Sequence, residues 1–529
     1  MVKSLEKGPN AFCHPCQRLI RTKLGNTREI PQIYGMKRSS HWWKLAILLL
    51  SGFGSPAWAR VSLPAFFSDH MVLQGGAYAP IWGSASPGER IIVSGSWDGA
   101  SLLTYADSRG RWRVDLATPP PGGPYTLAVE GPENKLFIRD VLVGEVWLAS
   151  GDANMAMSLQ EDTEGEAALA DADHPRMRLF IVEGHMALSP RFDLKGRWQV
   201  CEPATARAFS ALAYHFGLRL HEQLEVPVGL IQATWPEAPI QAWMSRPSLE
   251  ADPAFAALLD AYDTELRAQR ERFDGATTLA PSYPTVLFNA MIAPLAPMAL
   301  QGVIWSQGTA NAEAPYLYRK LFPALIHDWR SQWGWRFSFY FVEQPPFAYA
   351  QSGSGAGLRE AQYLASQLPN TGMATSLDLG VPGLPYPPAK AIMAHRLARW
   401  ALNQNYEQAE GPVSGPWPGA PIRRGQRLGI PFAQAPGGLE IRPGTARLLI
   451  AGEERAFLPA DIALAGDTLW LSHPALAEPL AARYAFEDTV SPALFNQAGL
   501  PAPAFRTDDW PRFYAPPRLE ATFDRGEQA

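Results

Sequence analysis

The feature that most limits how this chain can fold is a change of texture at Val141. Before it, from Arg60 to about Asp140, apolar residues alternate in short segments divided by turn chemistry. Candidate strands fall at 79–82, 90–95, 112–116 and 125–129, separated by Ser86-Pro87-Gly88, 107–110 and 119–123. That pattern predicts a β-sandwich module. From Val141 the apolar run 141–149 leads directly into Ser150-Gly151-Asp152-Ala153-Asn154-Met155, a strand-to-loop junction. A helix at 209–224 follows, with Phe209, Leu212, Ala213, Phe216 and Leu220 at helical spacing. Then come a strand at 228–232, a charged helical stretch at 246–273 and a buried strand at 301–306 ending in Gln307-Gly308-Thr309-Ala310-Asn311. A helix at 316–329, a strand at 337–342 and a helix at 389–403 complete the series.

Strand, loop and helix alternating in this way predict an α/β domain with a mostly parallel sheet. Such sheets bind ligands beyond the carboxyl ends of their strands, where 151–155 and 307–311 both lie. After Gly411 the β texture returns, with strand candidates at 439–441, 446–451 and 469–472. The expected organisation is an N-terminal β-sandwich at 60–140 and an α/β domain at 141–411 with a helical excursion at 236–285. A C-terminal β-sandwich module at 412–490 and a tail at 491–529 packed on the body complete it.

Composition removes several function classes. Against 46 basic residues stand 51 acidic ones, a net charge of -5, which argues against a protein built to grip nucleic-acid phosphates. No phosphate loop or dinucleotide fingerprint is present, so no cofactor is expected. His70, His174, His185, His215 and His221 never fall into a ligand spacing with acids, and no metal is expected either. Residues 37–59 run from a basic end through Leu45–Leu50 to Ala57-Trp58-Ala59, the layout of a secretory signal peptide. On this reading translation starts at Met36, making 36–59 the leader and 1–35 an untranslated or disordered extension. Cys13-His14-Pro15-Cys16 has no partner ligands. Cleavage after Ala59 leaves Cys201 alone, too few cysteines for a disulfide, and points to a bacterial periplasmic or secreted protein with no transmembrane segment.

The motifs at the strand ends carry a resemblance. Leu63-Pro64-Ala65-Phe66-Phe67-Ser68-Asp69-His70-Met71-Val72-Leu73-Gln74, Gly144-Glu145-Val146-Trp147-Leu148 and Asn289-Ala290-Met291-Ile292-Ala293-Pro294-Leu295 all match one family. So do Gly302-Val303-Ile304-Trp305, Arg483-Tyr484-Ala485-Phe486 and Phe505-Arg506-Thr507-Asp508. Over residues 61–510 the chain resembles the sialate O-acetylesterases, carbohydrate esterases of the SGNH-hydrolase group. The resemblance implies an SGNH-like three-layer α/β/α domain flanked by β modules, acting on O-acetyl esters of sugars. It implies a serine nucleophile, a histidine base oriented by an aspartate, and an oxyanion site of backbone amides with an asparagine.

The same positions here have lost that chemistry. Where the family has Gly-Gln-Ser-Asn-Met, this chain has Gly151-Asp152-Ala153-Asn154-Met155, and the Ala153 methyl cannot form an acyl-enzyme. Where the family has Asp-Ile-His-Pro, it has Leu384-Pro385-Tyr386-Pro387 before Lys390. A phenol titrating near 10 is a poor general base at neutral pH. A Gly-Gly-Thr loop becomes Pro236-Glu237-Ala238, removing a backbone donor at Pro236.

The expectation is an exported pseudoenzyme that keeps a glycan- or partner-binding cleft. Asn154, Gln307 and Asn311 would form its polar floor, with Asp152, Glu237 and Tyr386 at the mouth. One alternative is an active esterase using Ser150, Ser306 or Thr309 with Asp152 or Glu237 as base. Others are a hydrolase in which Asp152 and Glu237 activate water, and a structural or assembly role. Expected partners are an acetylated or plain glycan or another exported protein.

Overall fold

Period-two alternation builds the first module. The structure, a computed structural model, describes residues 60–510 apart from 274, 382, 409 and 410. The expected leader, the extension before it and the end of the tail lie outside the described residues. Six strands come first: β1 (Val72–Gln74), β2 (Tyr78–Ser84), β3 (Arg90–Gly95), β4 (Ser101–Tyr105), β5 (Arg111–Ala117) and β6 (Gly122–Glu130). Along β5, Trp112, Val114 and Leu116 are buried while Arg111, Arg113 and Asp115 face water. β2 pairs antiparallel with β5, and β3 pairs with β4 and β6. Ile81, Val93, Val114, Leu127 and Val129 fill one apolar cluster.

The 17-residue strand β7 (Lys135–Gly151) joins this module to the next. Its first half pairs antiparallel with β6, and its second half lies parallel between two strands of a larger sheet. The expected boundary between 140 and 141 therefore falls inside one continuous strand. The larger sheet adds β8 (His174–Ile181), β9 (Trp198–Cys201), β10 (Val228–Thr234), β11 (Gly302–Ser306), β12 (Ser338–Val342) and β13 (Thr371–Ala374). Its order is β13-β12-β11-β7-β10-β8-β9, parallel throughout except between β8 and β9.

Both faces of this sheet are covered, which is why its central strands β7, β10, β11 and β12 read as largely apolar runs. Trp147, Ala149, Leu230, Ile304 and Tyr340 pack with residues of the helices Ala211–Leu224 and Lys390–Tyr406. Val146, Leu148, Ile231, Val303, Trp305 and Phe339 pack with those of Pro315–Trp333 and Ser354–Ala365 on the other side. The sequence reading located β7, β10, β11 and β12 but not β8, β9, β13 or the helix Ser354–Ala365. β8 is interrupted by Pro175, Arg176 and Arg178, β13 has only four residues, and the helix contains Gly355 and Gly357, poor helix formers.

The last module is tied to this sheet by charge. Asp488 accepts hydrogen bonds from the backbone N–H of Gly353 (2.6 Å), Gly355 (2.8 Å) and Ala356 (3.3 Å), capping the helix Ser354–Ala365 from outside it. Glu343, just beyond β12, is fully buried and accepts from the N–H of Ser376 (3.1 Å) and of Ala504 (3.3 Å). Burial raises its carboxyl to about 7 against those donors and nearby Arg359. Arg506 pairs with Glu360 on the capped helix. Leu494–Asn496 and Phe505–Arg506, read from sequence as a loop-like tail, each add a short strand to the last module. No helix among the described residues is long and apolar enough to cross a membrane.

Because a single carboxylate holds the N–H of the N-cap Gly353 and two N–H groups of the helix's first turn across a module contact, Asp488→Ala is expected to lower stability by about 1–3 kcal/mol. Urea unfolding at pH 7 reads this as a lower midpoint, and an unchanged midpoint would contradict the capping role.

Candidate functional site

The end of β7 approaches the end of β11 so closely that only glycine fits at position 151. Gly151 has φ +141°, and a Cβ there would meet the Ser306 carbonyl oxygen at 2.1 Å. The N–H of Asp152 donates to that same oxygen at 3.0 Å. Asp152 then caps the four-residue helix Ala153–Ala156, its Oδ1 accepting from the N–H of Asn154 at 3.1 Å. Its Oδ2 accepts from the N–H of Gly308 at 3.2 Å, so one carboxylate links both loops at the carboxyl edge. The side chain is wholly buried. Desolvation lifts its pKa to about 6, against the pull of these N–H groups and of Lys390.

Lys390 opens the helix Lys390–Tyr406 and is also fully buried. Its Nζ donates to Asn154 Oδ1 at 2.7 Å, and its backbone N–H donates to Asp162 Oδ1 at 3.0 Å. The other oxygen of Asp162 lies 2.9 Å from His215 Nε2. Burial lowers the Lys390 ammonium to about 8, with Asp152 and Asp162 acting in the opposite direction. A cationic donor on Oδ1 fixes the amide orientation of Asn154 and leaves its Nδ2 with two protons to offer.

The second loop is braced against the strand-end turn after β10. Gln307 Nε2 donates to Asn311 Oδ1 at 2.8 Å and to the Ala238 carbonyl at 3.3 Å. Asn311 Oδ1 accepts from the N–H of Ile240 at 2.9 Å, and its Nδ2 donates to Gln241 Oε1 at 3.1 Å. In that turn Pro236 and Glu237 are exposed, and Glu237 sits at φ +59°, a conformation that favours glycine. Gln307 Oε1 and Tyr349 Oη are buried with no partner among the described residues.

Tyr386 is half-buried. Its phenol is pushed well above its usual value by burial first and then by Asp152, Glu237 and Tyr349, with Thr309 opposing. The structure thus places Asp152, Asn154, Gln307, Asn311, Glu237 and Tyr386 around one strand edge. Leu384 stands apart, 47% exposed in a turn closed onto Val381. Among the replacement nucleophiles, Ser150 is buried and donates its hydroxyl to the Ala233 carbonyl at 2.6 Å. Thr309 Oγ1 accepts from Gln344 Nε2 at 3.0 Å, and Ser306 is buried. No histidine hydrogen-bonds any of the three among the described residues. The sequence reading missed Asp162, His215 and Tyr349, and saw Lys390 only as a motif residue. A lysine in the first turn of a helix opposes the helix dipole, and that is the local sign that a buried acceptor holds it.

Parallel strands covered on both faces, with polar loops converging beyond their carboxyl ends, define an α/β protein with its polar groups gathered at one sheet edge. No protein-family model matches the chain. A crystal structure of a carbohydrate acetylesterase from Xanthomonas citri is 33% identical, covers 85% of this chain and 100% of its own, and superposes with a TM-score of 0.74. The sialate O-acetylesterase of Mus musculus is 27% identical over 429 residues, 71% of this chain and 79% of that protein. Its counterpart in Homo sapiens is 29% identical over 395 residues, 67% of this chain and 73% of that protein. The chain belongs to the sialate O-acetylesterase family of carbohydrate esterases.

The buried carboxyl sets a pH dependence. With a native pKa of about 6 against 3.8 unfolded, the native state holds its proton longer. Stability is therefore lost as pH rises from about 4 to 6. Asp152→Asn removes that loss. Relative to the natural protein, the variant should gain about 1–3 kcal/mol between pH 4 and pH 7. Urea unfolding of both at pH 4, 5.5 and 7 checks it, and a difference constant across pH would contradict the assignment.

Proposed function

We propose that this chain is a catalytically inactive, exported member of its family that holds a glycan in the carboxyl-edge cleft without cleaving it. The observation that carries the reading is the Ala153 methyl at the nucleophile position, with no imidazole among the described residues hydrogen-bonded to Ser150, Ser306 or Thr309. An acyl transfer needs an attacking atom and a base to accept its proton, and this cleft offers neither in register. Asp152 does not take the base's place, because backbone N–H groups occupy its oxygens and no solvent reaches it. The fold is read as an SGNH-type three-layer domain between β-sandwich modules at 60–140 and 412–490.

Binding groups survive the loss of chemistry. Asn154 Nδ2, held in place through Lys390, donates to a ligand oxygen. Gln307 Oε1, without a partner among the described residues, supplies an acceptor, and Tyr349 Oη, beside Thr309 and Gln344, a hydroxyl. The half-buried ring of Tyr386 offers a face for a sugar. In this reading Gln307 and Asn311 shape the floor through their mutual bond, and Glu237 and Asp152 keep the cleft acidic. The carbohydrate acetylesterase named among the relatives supports a glycan as the ligand class.

The test is hydrolysis of a generic acetyl ester and an acetylated-glycan panel by the chain from Arg60 onward. No turnover above the buffer rate is expected. Ala153→Ser alone should remain inactive, and Ala153→Ser with Leu384→Asp and Tyr386→His should restore measurable turnover. Turnover by the natural protein that Asp152→Asn abolishes would overturn the reading in favour of a rebuilt esterase.

A further inference from the structure

The opposite end of the parallel sheet carries a second set of features that the cleft does not use. Three neighbouring depressions there share lining residues, so they form one groove. The first, about 520 Å³, and the second, about 400 Å³, have Arg113 and Pro297 in common. The second and a third of about 450 Å³ have Trp335 in common. The groove follows the amino-terminal ends of the strands: Gln301 precedes β11, Trp335 and Arg336 precede β12, and Pro369 precedes β13. The candidate cleft lies past the other ends of the same strands, about 15 Å away for five-residue strands.

Large aromatic side chains line this groove and stay in water. Tyr78 is 76% exposed, Tyr105 59% and Trp335 44%. Their positions are fixed by structure underneath. Tyr78 opens β2 and Tyr105 closes β4, while Trp335 rests edge-on against the buried ring of Phe337 with ring centres 5.8 Å apart. Exposed rings of this kind are poor core formers and good platforms. Each presents an apolar face beside polar neighbours, the geometry that accepts the C–H face of a sugar ring while its hydroxyls reach the rim. Gln301, half-buried in the middle depression, provides a donor and an acceptor at that rim.

Charge narrows the ligand further. Although the whole chain has a net charge of -5, five arginines line the groove against one acid, Asp107; of these Arg113 pairs with Asp115 at 2.8 Å and Arg111 lies over the Phe192 ring. Asp107 Oδ1 accepts from the backbone N–H groups of Arg109 and Arg111. At the Trp335 end the cations are the exposed Arg336 and the buried Arg330, and no carboxylate lines that depression. Arg330 is already satisfied by the carbonyls of Phe337 and Asn370. Arg336 has no ion-pair partner among the described residues and is free to pair with a ligand anion.

We propose that this groove binds an oligosaccharide bearing a carboxylate, its sugar rings stacked on Tyr105, Tyr78 and Trp335 and its acidic sugar at Arg336. The site is separate from the cleft and does not rest on the cleft's inactivity. It would hold the protein on an acidic glycan while leaving the carboxyl edge open.

The experiment is binding of the chain from Arg60 onward to an array of oligosaccharides built on uronic and sialic acids, each paired with a neutral chain of equal length. Titration calorimetry of the best acidic binder and its neutral partner follows. The natural protein should prefer the acidic member, with affinity falling as salt rises. Tyr78→Ala with Trp335→Ala should weaken binding at least tenfold. Because both residues are exposed, the urea midpoint should stay within error, and Trp335→Phe should retain most of the affinity. Arg336→Gln should cost about fivefold on the acidic chain and nothing on the neutral one. Asn154→Ala separates the two sites, since it strips the cleft and should leave groove binding in place. Absence of any acidic binder, or undiminished binding by the double alanine variant, would overturn the proposal.

Discussion

Everything in this molecule is organised by the strand Lys135–Gly151. Its amino half completes a sheet of the first module, and its carboxyl half is the spine of the parallel sheet, paired on both sides. A strand buried on both faces must be apolar, and from Val141 to Ala149 this one is, except at Glu145, whose carboxylate accepts from Tyr406 and Gln74 at 2.8 and 3.0 Å. Its last residue is a glycine because the Ser306 carbonyl leaves no room for a side chain. The loop that follows is therefore delivered to one place whatever residue stands at position 153.

What remains at the strand ends is a buried electrostatic assembly. Asp152 and Lys390 are both withdrawn from water, and each is tolerated because fixed donors and acceptors surround it. Asn154 stands between them, with Lys390 on its oxygen and Asp152 on its backbone N–H. Such a network orders the loops. Asn154 Nδ2 and Gln307 Oε1 are left without a partner among the described residues, and in the proposed reading they meet the ligand.

Much of the fold was legible in the sequence because its strongest signals are strands with long apolar runs. The runs at 141–149 and 301–306 and the helical stripe at 209–224 needed no tertiary information. β13 was not legible because four residues carry no periodicity, and the helix Ser354–Ala365 was not because its cap, Asp488, lies 134 positions from its first residue. The site was legible at the motif positions, since Ala153 and Tyr386 stand out against a family pattern. Its internal wiring was not. Nothing local links Lys390 to Asn154 or Gly308 to Asp152, and hydrogen bonds spanning more than 150 residues emerge only from the fold. The groove on the far edge was hidden for the same reason: Tyr78, Tyr105 and Trp335 come from two modules, and an isolated aromatic in a sequence reads as core.

In the proposed reading the carboxyl-edge cleft still binds a glycan although it no longer cleaves one. Hydrogen exchange followed by mass spectrometry, with and without the O-acetylated glycan the protein retains best, tests it most directly. The account requires slowed exchange in peptides covering 151–156 and 307–311 when the glycan is present. Unchanged exchange in both loops at a saturating glycan concentration would contradict it.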